Sequence, residues 1–421
     1  MIQTARLFSR DGLPGVFRLW KMRLRGEKLM VPAWWISDNL DDQDFLLRWD
    51  TFVAKTPPEC AGVVLIYSAM PFRASEGQRA TWLARSFVQK GFRVVFAYWR
   101  WSLDDSIEQD SDWPDVLSLP LDVLWRQGNL ILSSSPIQPL KRLCLLEFPH
   151  PSLFSLVNIA NAYGWKTIYD LIDDWTEFHR AGQAAWYDAD FERYLSANVQ
   201  VLTATNPVLV SHLEEITETS VHLLPNAYDP DSLTMIGEPA ALRKGTVTLG
   251  YFGHLTSAWF DWDLIVAVAR RNPSWMFHLL GYGADGHPDL PANVILPGKI
   301  PHDQLANYAK NWDLAIIPFK KTSLVRAVDP IKIYEYLGLH LRVITQGLPH
   351  LQGVPYVFNV QSVEDFERTV KLALNAQDDL LAVEAFLARN TWRNRADWLI
   401  SSSGNGSSSF FDLVHPEAVN E

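Results

Sequence analysis

Twice along this chain, short runs of β-branched and apolar residues alternate with amphipathic stretches of helical period. This double alternation points to parallel α/β architecture, in which strands and helices cover one another's apolar faces. GVVLIYS (62–68) and RVVFAYW (93–99) read as buried strands on either side of a helix over EGQRATWLARSFVQK (76–90). NLILS, RLCLLEF, TIYDL, VQVLTA and SVHLLPN carry the strand series to about residue 226. The turn-rich segment 227–245 has no sustained period and reads as a linker. A second series follows, with strands VTLGYFG, WMFHLLG, NVILPG, DLAIIPF and LRVIT and helices over FDWDLIVAVARR, HDQLANYAK and PIKIYEYL. A chain of 421 residues accommodates two domains of roughly 100–200 residues each. The expected organisation is therefore two doubly wound α/β domains, 60–226 and 246–390, facing each other across a central cleft.

Residues 1–59 read as an N-terminal extension and 391–421 as a crossover helix with a low-complexity tail, SSSGNGSSS. The extension is basic, through Arg6, Arg10, Arg18, Lys21, Arg23, Arg25 and Lys28, and Leu13, Phe17, Trp20 and Leu24 form an apolar stripe at helical spacing. Residues 1–28 therefore read as a helix for an anionic membrane surface or for the chain's own first domain, and the sequence leaves both open. The chain as a whole is acidic, with a formal net charge of -11, which argues against nucleic acid as a partner. Two cysteines, Cys60 and Cys144, form no disulfide framework and no zinc-ligand spacing. With no run of ~20 apolar residues and no leader pattern, the expected location is cytoplasmic, with peripheral attachment to the inner membrane face as an option.

An anionic ligand must then be met by a local cluster, and AVDPIKIYEYLGL (327–339) offers one. Asp329 is a preferred N-cap residue and Pro330 a preferred first helical residue, so a helix is expected to open there. Loops that leave the carboxyl ends of parallel strands and enter helices are where anionic ligands collect. Lys320, Lys321, Arg326 and Lys332 bring positive charge to this corner, and Lys332 and Glu335 share one helix face. As a plain surface pair those two would contribute only ~0.2–0.5 kcal/mol. At a cleft edge the lysine can meet phosphate and the carboxylate can accept from ribose hydroxyls.

The stretch RAVDPIKIYEYL, preceded by DLAIIPF and followed by LRVITQGLP, resembles the donor-binding motif of GT-B-fold glycosyltransferases of the retaining group 1 (family 4) type, particularly bacterial enzymes of capsule, teichuronic acid and lipopolysaccharide synthesis. GYFGHLTSAWFDWDLI, NVILPGKIPHDQLANYAKNWDLAIIPF, TIYDLIDDWTEF and TATNPVLVSHLEE extend the likeness over about residues 60–400. It implies transfer of a sugar from a nucleotide diphosphate sugar to a glycan or lipid-linked acceptor, with no cofactor and no metal. On matching positions, Glu335 is the motif's second glutamate, which holds the ribose. Gly253 and His254 fall where the glycine loop approaches the diphosphate, and Arg326 and Lys332 where cations neutralise it. Pro330 and Tyr334 complete the implied donor-binding set. The motif's first glutamate is replaced by Ala327. A non-catalytic subunit that binds nucleotide or glycan, and a nucleotide-sugar epimerase, are the alternatives.

In the first domain, His150 in LEFPHPS resembles the acceptor-side histidine of these enzymes, and Asp173 and Asp174 follow a strand end where a carboxylate could orient or deprotonate an acceptor hydroxyl. Trp99 and Trp101 in YWRWS are candidate platforms for a sugar ring. Gly281 to Gly286 satisfies GxGxxG, but HPDLPAN follows it in place of a helix. The DxD pairs read as chance, with Asp261 and Asp263 opening a helix.

Overall fold

The computed structural model describes residues 40–73, 77–100, 112–230, 240 and 242–402. The predicted basic helix of residues 1–28, Trp101, most of the acidic stretch 104–115, most of the linker and the tail from 403 lie outside them.

Two wholly parallel sheets build the molecule. The first has seven strands in the order β3-β2-β1-β4-β5-β6-β7: β1 Gly62–Ser68, β2 Phe92–Tyr98, β3 Val116–Pro120, β4 Lys141–Leu146, β5 Lys166–Leu171, β6 Val201–Ala204 and β7 Val221–Leu223. The second has six in the order β10-β9-β8-β11-β12-β13: β8 Thr248–His254, β9 Met276–Tyr282, β10 Val294–Gly298, β11 Leu314–Pro318, β12 Val343–Gln346 and β13 Val357–Asn359. β1 and β2 are buried at all seven positions each, as parallel strands covered on both faces require.

Three local readings change. NLILS forms the end of helix Leu121–Ser133, which buries Ile131 and Leu132; an apolar run this short suits a buried helix turn as well as a strand. The edge strand is VLSLP instead, paired with β2 from Val94↔Val116 to Tyr98↔Pro120. The extension also does not run to residue 59 as a separate piece. Helix Leu40–Ala54 buries Phe45, Trp49 and Phe52 in the first-domain core. Its Asp42 accepts from Arg126 at 2.8 Å, and Arg126 also reaches Asp122, which is gripped by Arg100. Thus the first domain begins at least by residue 41. Finally, Asp329 does not cap the following helix, which runs Lys332–Gly338 without a side-chain cap. Its carboxylate accepts the backbone N–H of Asn226 at 2.6 Å, because the chain crossing between domains brings that buried donor within reach.

The chain crosses twice between the domains, and the crossings bond each other: Tyr228 N–H donates to Asn390 O at 2.8 Å and Trp392 N–H to Tyr228 O at 3.1 Å. Helix Trp392–Ser401 then returns onto the first domain, burying Trp392, Ala396 and Leu399 beside β1 and β2 residues and pairing Asp397 with Lys90. Beneath the crossings, Arg79 forks onto Asp170 at 2.8 and 3.0 Å and donates to Asn226 Oδ1, while Arg395 donates to Pro225 O and Asn226 O. Among the described residues no helix is long and apolar enough to cross a membrane.

Candidate functional site

Loops leaving the carboxyl ends of both sheets meet one another. Ser323, after β11, donates to Glu177, after β5. Asn206, after β6, donates to Val328 O and lies 3.2 Å from His350 Nδ1, after β12. Gly77, after β1, faces His302 and Glu335. The two carboxyl edges therefore confront each other across the domain junction, the place where doubly wound sheets bind ligands.

On the second-domain side, Gly253 is the last residue but one of β8, with φ 138°. A Cβ there would lie 2.7 Å from Lys332 Nζ and 3.1 Å from the Tyr251 hydroxyl, so only glycine admits the lysine this close. Lys332 donates to Tyr251 Oη at 3.2 Å, and that hydroxyl in turn donates to His254 O at 3.0 Å. The ammonium also lies 4.8 Å from the Tyr251 ring centroid and 5.2 Å from that of Phe319. Desolvation pulls the Lys332 pKa down to about 8, opposed by the charge of Glu335. Glu335 is 5% exposed, and His302 Nε2 lies 2.6 Å from its Oε1. Burial by itself would lower the His302 pKa, but the hydrogen bond and charge of Glu335 outweigh it and raise it. His254 stacks on Tyr282 at 4.6 Å, and a Cβ on Gly283 would collide with its ring.

Gly253, His254, Lys332 and Glu335 thus share one neighbourhood, while three expected donor contacts do not join it. Arg326 is exposed and lines a separate depression of about 270 Å³ with Lys321, Gly347 and Asn359. Tyr334 is buried, stacks on Phe386 at 6.0 Å and directs its hydroxyl to Asp329. Pro330 is buried in the first turn, its carbonyl accepting from Ile333 N–H. Ala327 is 1% exposed and packs into the first-domain core.

On the first-domain side, His150 is fully buried among Trp99, Trp186 and Phe148 at centroid distances of 5.1, 5.6 and 6.3 Å. Ser152 N–H donates to its Nδ1 at 3.2 Å, which places the imidazole proton on Nε2. Ser152 Oγ also lies 2.8 Å from Nδ1 and 2.9 Å from the Tyr67 hydroxyl. Burial pulls the His150 pKa down to about 3, so the ring is neutral. Asp174 caps helix Trp175–Arg180 by accepting Glu177 N–H at 3.0 Å. Asp173 is partly buried, and desolvation, with the charge of Asp174, pushes its pKa up to about 7.

The sequence reading gave no role to Glu147, which follows β4 and is 2% exposed. It bonds Ser68 at the end of β1, and among the described residues its Oε1 meets no partner. Burial first, then the charge of Asp170, pushes its pKa up to about 8. Tyr251 and His302 also went unassigned, although both lie within motifs quoted above. Of the DxD aspartates, Asp261 and Asp188 are helix caps. Among the described residues no group of three or more His, Cys, Asp or Glu is gathered that could hold a metal ion.

No protein-family model matches the chain. Over 264 residues, 56% of this chain and 65% of the relative, it is 25% identical to TuaH of Bacillus subtilis (strain 168), named for a glycosyltransferase of teichuronic acid biosynthesis. Over 162 residues, 37% of this chain and 38% of the relative, it is 25% identical to the UDP-glucuronate:glycolipid 2-beta-glucuronosyltransferase of Xanthomonas campestris pv. campestris. The aligned regions therefore span less than two thirds of either relative. Among solved structures, apo OtsA superposes with a TM-score of 0.55 at 8% identity, over 80% of this chain and 98% of that one. Two parallel α/β domains opposed at their carboxyl edges, superposable on OtsA almost end to end, give this chain the two-domain GT-B fold.

Proposed function

We propose that this chain is a glycosyltransferase that moves a sugar from a nucleotide diphosphate sugar to a glycan or lipid-linked acceptor in the synthesis of a bacterial surface polysaccharide. The observation that carries the reading is the pairing of Lys332, packed where Gly253 lacks a side chain, with Glu335 one helical turn away at the domain junction. Both relatives named above are glycosyltransferases by name, which supports the same reaction class.

In this reading the diphosphate lies over Gly253 against Lys332, and the ribose hydroxyls donate to Glu335. Cleavage of the anomeric C–O bond leaves charge on the nucleoside diphosphate, and the preorganised ammonium stabilises it. Asp173, with its raised pKa, accepts the proton of the acceptor hydroxyl. Neutral His150 and its aromatic surround, Trp99 included, shape the acceptor side. Retention of anomeric configuration follows from the family resemblance, while the Xanthomonas relative is named for a β linkage; the product's anomeric proton coupling decides between the two outcomes.

One observation favours a second reading, a non-catalytic subunit that binds nucleotide or glycan. Ala327 replaces the motif's first glutamate and is packed into the first-domain core. Release of UDP or GDP from UDP- and GDP-sugars by the full chain, with and without glycan acceptors, separates the two. Acceptor-stimulated release supports the transferase, and nucleotide binding without release from any donor overturns it in favour of the subunit.

A further inference from the structure

The sequence likeness assigns Glu335 to the ribose and says nothing of what holds it. Glu335 is 33 positions from His302 along the chain, yet Nε2 and Oε1 are 2.6 Å apart and the two side chains are only 17% and 7% exposed. His302 opens the turn His302–Gln304 that follows β10. Its ring also meets the first domain, edge-on to Trp82 at 6.0 Å. At Gly77 of that domain, a Cβ would lie 3.0 Å from His302 Nε2 and 3.4 Å from Glu335 Oε1. The first domain thus approaches this pair with a residue that has no side chain.

We propose that His302 is a positioning residue for nucleotide: by donating Nε2–H to one oxygen of Glu335 it turns the other toward the ribose, and it seats the nucleotide-binding face against the first domain. The inference rests on the function proposed above. Three features support it. A nearly buried carboxylate requires a donor to stay ionised and in one rotamer. His302 supplies that donor, and Glu335 in turn holds the imidazole in the orientation that meets Trp82. Arg85 and Asp303 act on the imidazole with opposite signs, so Glu335 is its decisive partner. Lys332, Glu335 and His302 therefore form one polar row from the phosphate corner to the domain contact.

The test is calorimetric titration of the full chain with UDP and with GDP, using wild type and the variants E335Q, H302A and H302Q. Loss of one charge-assisted hydrogen bond to the ribose should weaken binding by E335Q about tenfold or more. H302A should lose about tenfold as well, while H302Q, whose amide N–H still donates, should return to within about threefold of wild type. The His302 imidazole resonances of wild type should also shift on saturation with nucleotide, a readout that survives if H302A fails to fold. Unchanged affinity in H302A beside a loss in E335Q overturns the positioning role and leaves the transferase reading intact, as does an unmoved His302 resonance. Unchanged affinity in E335Q, or no binding of either nucleotide by wild type, overturns both.

Discussion

At the carboxyl edge of the first sheet β1 ends in Ser68, and Glu147 and Asp173 follow β4 and β5, with Glu147 bonded to Ser68 and within the field of Asp173. At the corresponding edge of the second sheet, Gly253, Gly281 and Gly283 lie at or just past the ends of β8 and β9, all at positive φ, and leave the space to backbone and to Lys332. The topology is the same in both, a parallel sheet whose strand order turns back beside its central strand. The contents differ in kind, carboxyls at one edge and an ammonium at the other. Burial works on them in opposite directions too: it lowers the ammonium to about 8 and raises the two carboxyls to about 8 and about 7. Topology thus supplies a crevice at each edge, and the function proposed above assigns the donor's diphosphate to one and the acceptor hydroxyl to the other.

The largest expected effect tests whether the first edge is neutral. Folded, Glu147 keeps its proton up to about pH 8, and unfolded it loses it near 4.5. Between those values the unfolded chain binds fewer protons, so stability falls as pH rises, by about 1.4 kcal/mol per unit. The effect is absent below the unfolded value and complete above the folded one. Glu147→Gln carries no such proton. Denaturant unfolding at pH 5.5 and 7.5 should show wild type losing more stability than E147Q across that interval, and parallel losses would break the contrast between the two edges.

The next effect lies on the second edge. Lys332→Ala removes the ammonium facing Gly253, and a hydrogen bond to a charged group is worth about 1.5–3 kcal/mol. Affinity for UDP or GDP should fall roughly 10–100-fold in calorimetry, while E147Q should bind nucleotide as wild type does. A loss of affinity in E147Q equal to that in K332A would mean that the edges are not specialised.

Much of this was legible in the sequence. Seven-residue runs such as GVVLIYS and FRVVFAY are buried throughout, and continuous apolar runs of that kind are what parallel strands leave in a sequence. Gly253, His254, Lys332 and Glu335 are grouped by the resemblance to the donor-binding motif, and the fold brings them into one neighbourhood. What could not be read depends on distant pairs. His302 is joined to Glu335 only by the tertiary fold. Glu147 looks like any carboxylate until burial removes its solvent, and Asp329 looks like a cap until Asn226 arrives from the domain crossing. Nor does charge near a motif fix which way a side chain leaves the backbone: Arg326 is exposed and lines a depression with Lys321, Gly347 and Asn359.

The smallest expected effect sharpens the second edge alone. Without ligand, Lys332 titrates near pH 8 because desolvation disfavours its charge. A diphosphate laid against it favours the charged form and moves the pKa back toward its ordinary value. Binding near pH 8, where the terminal phosphate is already ionised, should therefore take up about half a proton. By the same linkage, affinity should fall about twofold between pH 7 and pH 8, an interval over which the diphosphate's own charge is nearly constant. Titrations with UDP or GDP in two buffers of different ionisation enthalpy measure the uptake directly. K332A should show none near pH 8. Uptake that persists in K332A would assign the proton to another group, such as His302 or His254, and would mean that Lys332 does not face the phosphates.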